Sequence, residues 1–356
     1  MSGEKPAAKP KKSQRSELQK PVSLKQVAAH LGLNPATVSV VLNDVPGRSI
    51  PQATRDRIKA AARELNYQPN LLARSLRNRR TLTVGILVPE LGDGYHTAVM
   101  SGVGDQLMSS GYFYFTAHHR HRQDLIEEYA RLLIGRGVQG IITIDTQLER
   151  PLPVPTVAVA GHSRIEDVTN VVIDHRRAAE LTLQHLHGLG HRQIAFMRGQ
   201  PFSSDSEERW QHLVDVAGEL GIEINPRLVV QLDRDTFTPD LGYPVVQKLL
   251  AAREPFTALV AFNDISAIGA IRALRDFNLR VPEDVSVIGF DNIRAAAFSL
   301  PSLTTINQPL TELGRIATQN LLNRLHETSA PKDEVVVEPS LIVRESTGVV
   351  TVHGPQ

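Results

Sequence analysis

From Thr81 onward the chain alternates between short β-rich runs and amphipathic helical segments, and few architectures accept that alternation. The runs are TLTVGILV, YFYFTAH, GIITID, PTVAVA, RQIAFM, TALVAF and DVSVIGF. Between them lie helical patterns at Tyr95–Ser110, Leu125–Ile134, Ala178–Leu186, Ser206–Leu220, Ile265–Phe277 and Leu310–Leu325. Strands separated by helices predict parallel sheets covered on both faces, an α/β class. About 270 residues is long for one such sheet, so residues 81–348 are expected to form two lobes of doubly wound parallel sheet. A cleft between lobes is a common ligand site.

The first 80 residues differ in pattern and in charge. They hold 16 Lys+Arg against 5 Asp+Glu, leaving 23 against 33 of the chain's 39 and 38. A basic end on a larger acidic body suggests a polyanion-binding module joined to one that binds no polyanion. Residues 1–21 are Lys/Pro/Ser-rich, which predicts a disordered tail. Residues 22–68 read as all-α. Ser23 and Gln26 form an S-x-x-Q capping box, and Asn34 before Pro35 gives a second N-cap with proline at the first helical position. A third helix is expected from about Pro51 to Leu65, with Ile58, Ala61, Ala62 and Leu65 on one side.

Several classes are excluded. The chain has no cysteine, so it has no disulfide, thiol nucleophile or Cys-ligated zinc. MSGEKPAAKPKKSQRS carries charges without a following apolar region, so it is not a secretory signal, and no apolar run nears 18 residues. A cytoplasmic protein is expected. No nucleophile elbow, phosphate loop, dinucleotide fingerprint or H-E-x-x-H occurs, which argues against an enzyme and against a cofactor.

Val27, Ala28 and Leu31 form an inner helix face, Gly32 makes the turn, and Leu33, Val38 and Val41 follow at the spacing that packs a second helix across the first. Caps, spacing and local charge favour a DNA-binding helix-turn-helix over an ordinary helical hairpin. VSLKQVAAHLGLNPATVSVVLN and ATRDRIKAAARELNYQPNLLARSL resemble the amino terminus of the LacI/GalR (lactose/galactose repressor) family. The likeness continues through VGILVP, ELTLQHLHGLGHRQIAFMRG, AFNDISAIGAIRALRDFNLRVPEDVSVIGFDN and LTTINQPLTELG, about residues 22–347. It implies a homodimer with its headpieces on a palindromic operator, a hinge over 69–80 that orders on DNA, and a core like periplasmic sugar-binding proteins. The short ending after residue 348 leaves no heptad tail, so a dimer is expected rather than a tetramer.

The resemblance places the second helix, about Pro35–Leu42, in the major groove. Thr37 and Ser39 would touch phosphates or bases, Pro35, Ala36 and Val40 would choose bases, and Ser23 and Asn43 would lie near the backbone. Many relatives carry a long polar residue where this chain has Val40; valine packs on a thymine methyl but cannot hydrogen-bond guanine. The alternative for Val40 is burial beside Val38 and Val41. In the hinge, Asn70 and Arg74 correspond to family contacts, and Leu76 matches the leucine that wedges into a base step from the minor groove.

Ligand residues in doubly wound folds gather at the carboxyl ends of strands. Asp93, Tyr95 and His96 follow the first strand, Ser203, Asp205 and Arg209 follow RQIAFMRG, and Asn263 and Asp264 follow TALVAF. Asp291 ends DVSVIGF and Gln308 follows LTTIN. The resemblance carries effector contacts onto Asn263, Asp291, Gln308 and Arg209, with Phe237 as an aromatic wall. For Asp264, capping the next helix and touching ligand are both open. Carboxylate, amide and aromatic groups suit a sugar. Three departures weaken the case for an ordinary hexose: Asp93-Gly94-Tyr95-His96 replaces the common Asn-Pro-Phe-Phe, Ala160 stands where sugar-binding relatives have Asp, and His212 replaces a glycine. His118, His119 and His121 with Arg120 and Arg122 suggest an anion contact rather than a metal site. A purine effector, a protein partner, or a transporter's solute-binding protein are the competing readings.

Overall fold

The computed structural model describes residues 22–43, 47–68, 80–92, 94–161, 165–201, 205–233, 238–328 and 332–350. It divides into two compact units, residues 1–81 and 82–356.

In the first unit three helices enclose a small core. Helix α1 (Leu24–Leu31) starts at Ser23: its Oγ accepts from Gln26 N at 3.4 Å, and Gln26 Oε1 accepts from Ser23 N at 2.8 Å. It ends at Gly32, whose φ of 64° suits glycine. Helix α2 (Pro35–Leu42) starts where Asn34 Oδ1 accepts from Ala36 N at 2.8 Å. Helix α3 spans Gln52–Glu64. Val27, Ala28, Val38, Val41 and Ile58 are fully buried between them, with Leu65 half-buried at the edge.

The second unit is α/β, with two six-stranded sheets. The first has the order β11-β5-β4-β3-β1-β2, with β1 at Thr83–Val88, β2 at Phe113–His118, β3 at Gly140–Ile144, β4 at Thr156–Val159, β5 at Val168–Ile173 and β11 at Glu334–Val337. The second has the order β12-β10-β9-β8-β6-β7, with β6 at Ile194–Arg198, β7 at Val229–Gln231, β8 at Ala258–Val260, β9 at Ser286–Asp291, β10 at Thr304–Asn307 and β12 at Ser340–Ile342. Every neighbouring pair is parallel except β10 with β12. Strand alternation covers both faces. On β1, Val84, Ile86 and Val88 enter one cluster while Leu87 joins Ile126, Ala130 and Leu133 of helix α5 (Gln123–Gly135) on the other side. On β6, Ala195 and Met197 face one core, Ile194 and Phe196 the other.

The chain passes between the sheets three times. Helix α6 (His175–Gly188) links β5 to β6, helix α10 (Leu310–His326) links β10 to β11, and β11 runs into β12. Helix α10 packs against α4 (Tyr95–Ser109) at two glycines. A Cβ on Gly102 would lie 1.9 Å from Thr311 O, and one on Gly314 would lie 2.1 Å from Val99 O. The backbones therefore touch, and no side chain fits between them.

Gly314→Ala is expected to force the helices apart and destabilise the core by about 1–3 kcal/mol. That is a fall in Tm of a few degrees by calorimetry. Gly218→Ala, on an exposed helical position with open space around it, is the control and should be neutral or slightly stabilising.

Candidate functional site

On the first unit, α2 presents two unlike faces. Val38 and Val41 are fully buried, whereas Pro35 and Ala36 are exposed and Thr37, Ser39 and Val40 are half-buried. Val40 lies outside the buried cluster, so its side chain flanks the outward face of the helix. Asn43 caps α2, and its Nδ2 donates to Ser39 O at 2.7 Å. Ser23 is exposed with its hydroxyl inside the capping box. Asn70, Arg74 and Leu76 lie outside the described residues.

In the second unit, the carboxyl ends of the two sheets face a shared cavity of about 60 Å3. Tyr95 and His96 reach it from the start of α4. Asp205 and Arg209 come from the start of α7 (Ser206–Glu219), Asn263 follows β8, Asp291 ends β9 and Gln308 follows β10. Asp93, Ser203 and Phe237 lie outside the described residues.

Arg209 forms the floor. Its guanidinium carbon sits 3.6 Å from the Phe290 ring centre and 4.2 Å from that of Phe262. One Nη donates to Phe262 O at 2.5 Å, and another lies 3.9 Å from Asp205. Burial lowers its pKa, opposed by Asp205 and Asp291. Asp291 is buried at an unusual φ of 114°, and Gln308 Nε2 donates to its carboxylate at 2.6 Å. Burial pushes the Asp291 carboxyl well above the ordinary carboxylate range and Asp264 adds to this, against the pull of Arg209 and Gln308. His96 Nε2 meets Asp145 at 3.1 Å on the opposite wall.

Asp264 has another role. Asn263 makes the N-cap of α9 (Asp264–Asp276), its side chain accepting from Ser266 N at 2.9 Å. Asp264 is instead fully buried behind the cavity and does not line it. Its carboxylate accepts from Thr305 Oγ1 at 2.6 Å and Ile293 N at 2.8 Å, joining α9 to β10 and the loop after β9. Gly289 leaves the room, since a Cβ there would lie 2.2 Å from Asp264 Oδ1. Burial raises this carboxyl to about 7.

The expected anion cluster after β2 is also corrected. Only His121 of that group lines the cavity. His118 and Arg120 are exposed, Arg122 pairs with Asp124 at 2.5 Å, and His119 is buried. Two left-handed residues, Arg120 and His121, turn the loop, leaving His118 and Arg120 exposed while the His119 and His121 rings meet edge to face at 6.0 Å. Among the described residues no group of three or more His, Cys, Asp or Glu is arranged to hold a metal ion. Sequence reasoning missed Asp145, Gln200 and Phe262 as lining residues. Asp145 directly follows β3, so the strand-end rule already pointed to it.

Comparison with known proteins now decides the family. Residues 23–70 match the model for bacterial regulatory proteins of the lacI family, and residues 183–347 match the periplasmic binding protein-like domain. Over 333 residues the chain is 31% identical to the HTH-type transcriptional repressor PurR of Pasteurella multocida, covering 91% of this chain and 98% of that one. The chain belongs to the LacI family. It is a DNA-binding transcription regulator with a helix-turn-helix and a periplasmic-binding-protein-like core. This regulator is also 32% identical to the HTH-type transcriptional regulator RegA of Clostridium saccharobutylicum, covering 91% and 99%. Its structure resembles the lac repressor dimer bound to operator and the anti-inducer ONPF, with a TM-score of 0.84 and 26% identity over 92% of this chain and all of that one. The regulator CelR in complex with cellobiose gives 0.66 and 30% over 91% and 99%. Among the described residues no helix is long and apolar enough to cross a membrane.

His119 gives a pH prediction. Thr146 Oγ1 donates to Ile144 O at 2.8 Å, so at 2.8 Å it accepts from His119 Nε2, and Nδ1 is left buried without a partner among the described residues. Burial, then neighbouring His121, lowers the His119 pKa from 6.5 to about 4. A histidine depressed in the folded state contributes stability that is complete above about pH 6.5 and lost as pH falls toward 4. His119→Gln keeps an N–H donor and cannot titrate. Its Tm should fall less between pH 7 and pH 5 than that of the wild type; equal falls would mean His119 titrates normally.

Proposed function

We propose that this regulator is a homodimeric repressor whose affinity for a palindromic operator is set by a neutral sugar bound between the lobes of its core. The observation that carries the sugar reading is the acceptor-rich wall of the cavity. Asp145 and Asp205 bring carboxylates, Asp291 adds a carboxyl that burial holds toward its neutral form, and Gln200, Asn263 and Gln308 add amides, against one guanidinium, Arg209, among the described lining residues. Hydroxyls donate and accept, so a polyol satisfies such a wall, whereas a phosphate or carboxylate ligand meets like charge. The cellobiose complex of CelR supports the same class. A purine base is the second reading, because Arg209 and Asp291 offer a donor and a carboxyl side by side to a base edge. A regulator that binds operator DNA would work in the cytoplasm.

The dimer reading is supported by exposed apolar side chains. Phe113 and Phe115 stack edge to face at 5.5 Å on edge strand β2, and Phe298 and Leu300 project from the second lobe. A two-fold dimer requires a pseudo-palindromic site.

A thermal-shift screen against neutral sugars, sugar phosphates and purine bases tests the effector class, since ligand at about 100 times Kd adds about 2.7 kcal/mol. Asp291→Ala is expected to abolish the response of operator binding to the sugar that stabilises the wild type, leaving ligand-free operator affinity within about twofold. A normal response from that variant would remove Asp291 from the effector site. Val40→Arg should shift the preferred half-site toward guanine by about 1–3 kcal/mol in operator selection at fixed salt, because arginine pairs bidentately where valine cannot. Unchanged preferences would make Val40 a packing residue only.

A further inference from the structure

Beside the cavity at Arg209 lies a second space of about 400 Å3. It is bounded by the carboxyl end of β5, the amino ends of α6 and α7, and edge strand β11. Tyr95, Ala160, Asp205 and Gln308 line both spaces, so the two adjoin. Sites for small ligands usually offer roughly 300–1,000 Å3. The Arg209 cavity alone falls well short of that range, and the flank brings it in.

The flank carries buried polar atoms with nothing to bond. Among the described residues, Nδ1 of His175, Nδ1 of His212 and the hydroxyl of Tyr95 find no hydrogen-bond partner. His175 is kept neutral, because burial pulls its pKa down to about 4 despite Asp205 nearby. An unpartnered nitrogen on a neutral imidazole is a donor in one tautomer and an acceptor in the other, and a hydroxyl satisfies either. Around these groups stand Asp174, Asp205, Glu208 and Glu334, while among the described lining residues the guanidinium of Arg176 already donates to Glu219 at 2.9 Å. An anionic substituent would be repelled there.

We propose that the effector is a neutral disaccharide or short oligosaccharide, with one ring at Arg209 and Asp291 and the next in the flanking cavity against His175 and His212. This rests on the reading of the core as a sugar sensor. The second ring gives partners to atoms that are otherwise buried unbonded, and leaving them so is costly. His212, on α7 and lining the flank, becomes a specificity residue for that ring.

Calorimetric titration of the full-length protein with cellobiose, maltose, lactose and sucrose, and with glucose, galactose and fructose, tests this directly. Glucose 6-phosphate and hypoxanthine are run alongside. One disaccharide is expected to bind about tenfold or more tighter than either of its component monosaccharides. Val336→Trp, on the exposed face of β11 at the flank, should remove that gain by filling the space, and His212→Ala should reduce it. Neither substitution should alter operator affinity without sugar. A monosaccharide binding as tightly as every disaccharide overturns the proposal, as does a disaccharide gain indifferent to both variants. Tighter binding of glucose 6-phosphate overturns the neutral-ligand argument. Binding of hypoxanthine, or of no sugar at millimolar concentration, defeats the sugar reading itself and this proposal with it.

Discussion

Burying an ion costs several kcal/mol unless its charge and its N–H groups are met, and Arg209 is met from three sides. Phe290 and Phe262 stack against it, Phe262 O accepts one N–H, and Asp205 lies close to another. These contacts tie the first turn of α7 to the ends of β8 and β9. They fix the floor on which Asp291 and Gln308 stand. Removing the guanidinium would take away the positive charge that offsets Asp205 and Asp291, so the floor and the acidic wall depend on one group.

The second constraint is the triple passage of chain between the two sheets. Residues on one wall (Tyr95, His96, Asp145) belong to the first lobe, and those on the other (Arg209, Asn263, Asp291) to the second. A ligand that touches both walls favours the arrangement in which the walls are close. It shifts the lobes only by its differential affinity for that arrangement. The close backbone approach of α4 and α10 at Gly102 and Gly314 packs the first lobe tightly. A hinge with one stiff body on each side is a suitable element for carrying an effector signal.

Much of this was legible in the chain. The caps at Ser23 and Asn34 are local chemistry, and both form where the residues predict. The apolar runs of β1, β3, β4, β6, β8 and β9 announce buried parallel strands. What escaped notice is non-local. Strand β11 is half-exposed and pairs with β5 more than 160 residues earlier in the chain, and β5 itself is interrupted by Thr169 and Asn170. Helix α8 (Tyr243–Ala251), behind Gly242 and Pro244, was likewise passed over. At the site, the strand-end rule located Asp205, Asn263 and Asp291 at the cavity. It failed for Asp264 because a carboxylate at a helix start can turn toward the sheet as readily as toward solvent. Only the space left by Gly289 decides which. The histidines after β2 misled for a related reason: their number is visible in sequence, but not that His118 ends exposed while His119 is buried against Thr146.

The central claim is that occupancy of the cavity and occupancy of the operator are coupled through one protein. Coupling is reciprocal, so a sugar that changes operator affinity by some factor must have its own affinity changed by the operator by the same factor. The decisive measurement closes that cycle: the Kd of the tightest-binding sugar with and without saturating operator duplex, and the Kd of operator with and without saturating sugar, at one salt concentration. The account predicts two equal ratios, each about fivefold or more from unity. Ratios of one on both arms would contradict it, leaving a DNA-binding protein whose cavity has no hold on its operator.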